Sequence, residues 1–477
     1  MVLNIRKTIL CTVGSIGFLF FLYAFYYGWQ VAAIGMAYKA KVLCSSVYIS
    51  NRNPQDVMRE ELGGIINIIE ADIDFDTKSV TTSLFGFPNQ RAVYRKQLGC
   101  TLLAGASEKE MLSDAMGVTT SPLRDLVIPQ PYAGFTKPGK EPPPEVSISR
   151  LSKAIDTAFL EKDPDNPIRT RAVVIVYDGQ IIAERYAPGI SAETALPGWS
   201  MTKSVTSALV GILVKQGKLS IYNPVQIAAW SDTDDPRRNI TLDQLLRMSS
   251  GLAFDERSGP VLSDLNKMLL RSQDSSGYAI NKELRYDPGS RWHYSSGTTN
   301  IISRIIRDSL GDSIADYHNF PRKVLFNKIG MTSAIMEVDA SDTFVGSSLM
   351  YATARDWARF GLLYLHDGVW EGEQILPSDW VHYSHAPSPT ALDGQYGAHF
   401  WTNGLSGSDV RARPLKSLPA DTYYAHGFEG QYIVIIPSRK LVVVRLGQTN
   451  SSKTWNIESF VSDILAAIST NAQSSGS

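Results

Sequence analysis

Two apolar hairpin patterns lie far apart in this chain, and any fold must bring them together. Residues 171–177 and 180–186 read as strands around Asp178-Gly179, the dipeptide of a two-residue hairpin turn. Much later, Gln431 to Ile436 and Leu441 to Leu446 repeat the pattern around Pro437-Ser438-Arg439-Lys440. A lone two-stranded hairpin is marginal in water, so such strands need a shared sheet. The last segment sets Ile457, Phe460, Val461, Ile464, Leu465 and Ile468 at helical spacing. Between the hairpins the sequence is mostly helical, as in Leu242 to Arg247, Thr299 to Leu310 and Thr353 to Leu365. The expected fold is α/β (α+β): one antiparallel sheet covered by terminal helices, with a helical insertion beside it.

The 477 residues also carry segments outside that unit. Arg6 and Lys7 precede an uncharged run from Thr8 to Tyr38, whose most apolar part, Thr8 to Gly28, is long enough to span a bilayer. Tyr23, Tyr26, Tyr27 and Trp29 near its far end suit an interfacial belt. The run exceeds the usual apolar length of a cleaved signal peptide, and no small-x-small cleavage site follows. We read it as an uncleaved, single-pass membrane anchor through residues 8–28. Lys39 and Lys41 balance Arg6 and Lys7, so charge does not set the orientation. A periplasmic or extracellular catalytic unit is expected. Of three cysteines, Cys11 lies in the apolar run; Cys44 and Cys100 form a disulfide if exported, or remain two buried thiols.

The expected organisation is an anchor over 1–41, an extension and linker over 42–145, a catalytic domain over 146–470 and a disordered tail over 471–477. The role of the extension is not legible. Asp72, Asp74 and Asp76 lack the turn glycine and terminal glutamate of a calcium loop and read as a solvated strand or turn. A net charge of −1 gives no reason to expect nucleic acid. No dinucleotide, P-loop or metal-ligand motif appears, so neither cofactor nor metal is expected.

The chemistry concentrates in Trp199-Ser200-Met201-Thr202-Lys203-Ser204. Val205, Leu209, Ile212 and Leu213 mark an apolar helix closed by Gly217. One helical turn sets Ser200 and Lys203 on the same face. A desolvated lysine can take the proton of a serine hydroxyl, which is otherwise a poor nucleophile. The alternative is a serine N-cap followed by a surface lysine. A proton relay and an oxyanion hole are also needed. Tyr294, in Trp292-His293-Tyr294-Ser295-Ser296-Gly297, is a candidate relay, its phenol pKa lowered by a nearby ammonium; His293 reads as structural. The glycines of Tyr424-Ala425-His426-Gly427-Phe428-Glu429-Gly430 permit close approach of a strand edge, so the N–H groups of Phe428 and Ser200 can form the oxyanion hole. His426 either lines the cleft or packs beside it.

The order Ser-x-x-Lys, Tyr-x-Ser and a glycine-containing strand resembles the superfamily of class C β-lactamases, DD-peptidases and carboxylesterases over residues 146–468. ITLDQLLRMSSGL at 240–252, ATARD at 352–356 and Leu376-Pro377 with Trp380-Val381 resemble further landmarks of that superfamily. W-S-M-x-K-S and Y-S-S-G-x-T-N are most similar to its aminohexanoate-oligomer hydrolase branch. The resemblance implies a β-lactamase/transpeptidase-like fold and an ester or amide substrate. It makes Ser200 the nucleophile, Lys203 its base and Tyr294 the relay, with Trp199, Ser296, His426 and Gly427 lining the substrate site. Two departures stand out: Ser296 replaces the usual Asn, and Ala425-His426-Gly427 lacks the leading Lys or His that binds a substrate carboxylate. A β-lactamase or DD-peptidase is the alternative enzyme, and a catalytically silent binding or assembly module the alternative outside catalysis.

Overall fold

The computed structural model describes residues 2–108, 143–257, 259–404, 413–449 and 454–468. Most of the expected linker and the tail at 471–477 lie outside them. The strands used below are β1 Glu70–Asp74, β2 Ser79–Leu84, β3 Phe87–Arg95, β4 Gly99–Leu102, β5 Thr170–Tyr177, β6 Gln180–Tyr186, β7 Trp401–Thr402, β8 Tyr423–Gly427, β9 Gln431–Ile436 and β10 Leu441–Gly447.

Both hairpins form and share one six-stranded antiparallel sheet, ordered β7-β8-β9-β10-β5-β6. Asp178 and Gly179 take φ of +46° and +78°, the left-handed pair that a two-residue hairpin turn requires. Strand β10 pairs on both sides, with Val443 opposite both Val434 and Ile175. It is buried along its whole length, which is why it reads as a nearly continuous apolar run.

Alternation along the strands separates two cores. Val174, Val176, Ile433, Ile435, Val442 and Val444 pack with Ala358 and Leu362 of the helix Ala354–Leu365 and with the helix Thr202–Lys215. Val173, Ile175, Val434, Ile436 and Val443 pack on the other face against the terminal helices, Ile148–Phe159 and Ile457–Ala467. The insertion follows its local signals. Thr241 and Gln244 form a reciprocal capping box at Leu242–Leu246, Ser295 caps Ser296–Ser309, and Thr353 caps Ala354–Leu365.

The N-terminal region is a second small unit built on one helix. Val2–Tyr48 is continuous, with Val13 through Tyr27 exposed and Ala33, Met36, Ala37, Ala40, Leu43 and Cys44 buried. By length and composition it can cross a membrane. Its buried end packs on the meander β1-β2-β3-β4, and Cys44 is disulfide-bonded to Cys100 of β4. Asp74 closes the β1–β2 turn by accepting from the N–H groups of Asp76 and Thr77. This unit is tied to the catalytic unit through the ion pairs Arg95–Asp342 at 2.5 Å and Arg171–Glu61 at 2.7 Å and through Glu337, which is fully buried. Its carboxylate accepts from Ser45 Oγ at 2.8 Å and the Cys100 N–H at 2.7 Å, and pairs with Lys41 at 2.8 Å.

Candidate active site

The turn that carries Ser200 begins with backbone strain. Trp199 sits at φ +47°, a left-handed conformation uncommon for a large side chain. The surroundings over-determine it: Gly198 N–H bonds to Met350 O at 2.9 Å, and the Trp199 ring meets the Phe428 ring edge-on at 5.8 Å. A 3-10 turn, Trp199–Met201, then leads into the helix Thr202–Lys215. Val205, Leu209, Ile212 and Leu213 are all buried, so the helix faces protein on nearly every side.

That burial defines Lys203. Its side chain is 1% exposed, and Nζ lies 3.2 Å from Ser200 Oγ, 3.0 Å from Ser296 Oγ and 2.9 Å from Ser347 O. Desolvation lowers its ammonium to about 8, while the charge of Glu256 acts the other way. The reading of this pair as an N-cap and a surface lysine does not hold.

Tyr294 lies beside them, its ring centroid 4.8 Å from Lys203 Nζ. It is enclosed by Trp401, stacked at 5.6 Å, and by Tyr396, edge-on at 5.8 Å. The expected lowering of its pKa is overturned. Burial, reinforced by Glu256, raises it well above the ordinary phenol value, with Ser200 opposing as a hydrogen-bond partner. The phenol is therefore neutral at rest.

Ser296 is buried between the lysine and a carboxylate. Its hydroxyl donates to Glu256 Oε1 at 2.6 Å and accepts from Lys203, while its N–H donates to Glu256 Oε2 at 2.7 Å. Glu256 was not anticipated. It lies in a loop just after Ser249-Ser250-Gly251-Leu252, and nothing in its local pattern separates it from a surface glutamate. Burial raises its carboxyl pKa, and Lys203 pulls it back.

Gly427 permits the approach of β8 to the turn that carries Ser200, since a Cβ there would stand 2.1 Å from Gly198 O. The following turn presents Phe428, half exposed, and is held from behind by buried Arg445. The guanidinium donates to Glu429 O at 3.2 Å and Gly430 O at 2.8 Å. Arg445 is a second residue that sequence reasoning missed, hidden in an apolar strand. His426 packs between two rings: it stacks on Tyr432 at 4.4 Å and meets Trp401, the ring that covers Tyr294, edge-on at 6.3 Å, and burial lowers its pKa to about 4. Ala425 packs in the core that contains the helix Thr202–Lys215. Among the described residues, no group of three or more His, Cys, Asp or Glu could hold a metal ion.

A serine on a helix-leading turn, a buried lysine one turn on, a tyrosine from a second element and the edge of an antiparallel sheet define the class of β-lactamase-fold hydrolases. A family model described as Beta-lactamase matches residues 157–459, more than half of the chain, and the chain belongs to that family. The 6-aminohexanoate-dimer hydrolase of Paenarthrobacter ureafaciens is 22% identical over 325 residues, covering 63% of this chain and 78% of the relative. A family VIII carboxylesterase structure aligns with TM-score 0.51 and 14% identity, covering 69% of this chain and 98% of that one. A penicillin-binding protein homologue from Caulobacter crescentus aligns with TM-score 0.51 and 14% identity, covering 70% and 100%. At such identities the two structures establish the fold alone.

Proposed function

We propose that this chain is a membrane-anchored serine hydrolase that cleaves an ester or amide through an acyl-serine intermediate. The contact of a desolvated Lys203 with Ser200 Oγ at 3.2 Å carries the reading. Neutral Lys203 takes the Ser200 proton as the hydroxyl attacks the carbonyl carbon. The N–H groups of Ser200 and Phe428 hold the oxyanion. Neutral Tyr294 donates its proton to the leaving group, and Lys203 reprotonates it. In deacylation the same pair removes a proton from the attacking water. A silent binding module would have no need for a desolvated lysine on a serine, since burying an ammonium costs stability.

The substrate reading follows from charge. With Ala425 at the first position of the β8 motif and His426 neutral and packed between Tyr432 and Trp401, neither residue offers a substrate carboxylate a cation. Neutral short-chain esters or amides suit the site better than penicillins or D-alanyl peptides. The exposed part of the N-terminal helix supports the anchor, and the Cys44–Cys100 bond supports a catalytic unit outside the cytoplasm. A fluorophosphonate probe on the purified protein tests the mechanism: one adduct is expected on Ser200, absent in Ser200→Ala. An adduct on another serine, or turnover retained in Ser200→Ala, would refute it.

A further inference from the structure

We propose that Ile68, Phe85 and Phe87 form a second contact with the lipid bilayer, seating the N-terminal unit on the membrane beside its spanning helix. This rests on the anchor reading above and specifies how the anchored protein meets its membrane. The three side chains are 61%, 83% and 67% exposed. Single exposed apolar residues are ordinary, so the case lies in where these stand.

They stand at the level where the long helix leaves the protein. Ala33 and Met36 pack with Ile69 and Leu84, Thr82 Oγ1 donates to Met36 O at 3.0 Å, and Lys39 Nζ donates to Ile69 O at 2.5 Å. Strand β2 therefore runs down the helix towards its exposed end, and Phe85 lies one residue beyond Leu84 at the tip. At 1.5 Å rise per residue, Ala33 is only about 6 Å along the axis from Trp29. Exposed Tyr26 and Tyr27 lie just before Trp29, so aromatic side chains from two separate segments occupy the same level.

The tip gives folding no reason to carry a phenylalanine. Phe85 and Gly86 take φ of +53° and +77°, and left-handed turn positions favour Gly, Asn or Asp. A large ring there carries a backbone cost with little burial to offset it, since Phe85 is 83% exposed. Neither Gly63–Ile69 nor Ser83–Gln90 contains a charged residue. Behind the tip, Lys39 Nζ is held by the Ile66 and Ile69 carbonyls and exposed Glu70 accepts from Ser83 Oγ, so the apolar tip beyond Leu84 is the part that inserts at the headgroup–acyl boundary. The opposite end of the unit differs: Phe75, also exposed, meets the Tyr48 ring at 6.3 Å. It lies about 20 Å further along the helix axis, counting from Ala33 to Tyr48.

The test uses the full chain in phosphatidylcholine vesicles. Cys44 and Cys100 are bonded to each other, so Cys11→Ser leaves a single labelling site when Phe85→Cys is added. A nitrobenzoxadiazole label at position 85 is expected to shift to the blue, to be quenched by lipid-borne nitroxides and to be shielded from iodide. The same label in Phe87→Cys should behave alike, and in Phe75→Cys it should report water. Labels at 85 and 87 that are open to iodide and untouched by the lipid nitroxide, in protein that resists carbonate extraction, would overturn the seat and leave the anchor standing. Release of the protein by carbonate would overturn the anchor reading itself, and the seat with it.

Discussion

Burial decides the working state of each active-site side chain. Lys203 is desolvated on all sides, so its ammonium falls to about 8 and its neutral form becomes accessible. Lys203→Arg keeps the charge but cannot act as a base, because a guanidinium does not deprotonate in proteins. Its turnover should fall on the order of 10⁴-fold, as in other catalytic knockouts; substantial activity would show that charge alone suffices. Since the active form is the unprotonated amine, kcat/KM should rise as pH passes through about 8. Glu256 holds the proton on Lys203, so Glu256→Gln should move that limb to lower pH. A limb that stays put or moves up would assign it to another group. At Ala425 the expected outcome is selectivity. Charge-assisted hydrogen bonds are worth about 1.5–3 kcal/mol, so p-nitrophenyl esters should be hydrolysed with higher kcat/KM than nitrocefin. Nitrocefin turnover above that of every ester tried would favour a β-lactamase.

Among the elements, the decisive contact is between β8 and the nucleophile turn. Strand β8 belongs to the last part of the sheet, yet its Gly427 abuts the Gly198 carbonyl, and Arg445 of β10 braces the turn that carries Phe428. Gly427→Ala forces the strand and the turn apart. A misplacement of about 1 Å can cost on the order of 100-fold in rate, so probe labelling of Ser200 should slow by about that factor. Most of the sheet's core residues lie on β5, β9 and β10, and the variant should still melt cooperatively. Labelling at the wild-type rate would mean that this approach does not position the nucleophile.

Across the whole molecule, the N-terminal unit is locked to the catalytic unit instead of hanging from it. Glu337 satisfies Ser45, the Cys100 N–H and Lys41 together, in full burial. Glu337→Ala strands Lys41, and breaking a buried pair from one side costs about 3–5 kcal/mol. The variant should melt well below the wild type. Glu337→Gln, whose amide oxygen still accepts from Ser45 and Cys100, should fall between them. Equal melting of Glu337→Ala and the wild type would show that the other ties between the units, Arg95–Asp342 and Arg171–Glu61, suffice without Glu337.

The sequence by itself determined what depends on spacing and local backbone chemistry. The hairpin at Asp178-Gly179, the capped helices at Leu242, Ser296 and Ala354, and the shared face of Ser200 and Lys203 are all set within a few residues. The resemblance of its motifs pointed to the family that the comparisons then established. Tertiary structure alone decided which polar residues left water. Glu256, Arg445 and Glu337 look like ordinary charged residues in the chain; Arg445 and Glu337 become buried, and Glu256 half-buried, only through partners distant in sequence. It also decided that Tyr294 is a neutral phenol, since burial within an aromatic enclosure and the charge of Glu256 raise its pKa. The packing of the helix beyond residue 28 was equally out of reach. An apolar helix bound for lipid and one bound for a protein core share a composition, and they differ only in the surface that meets them.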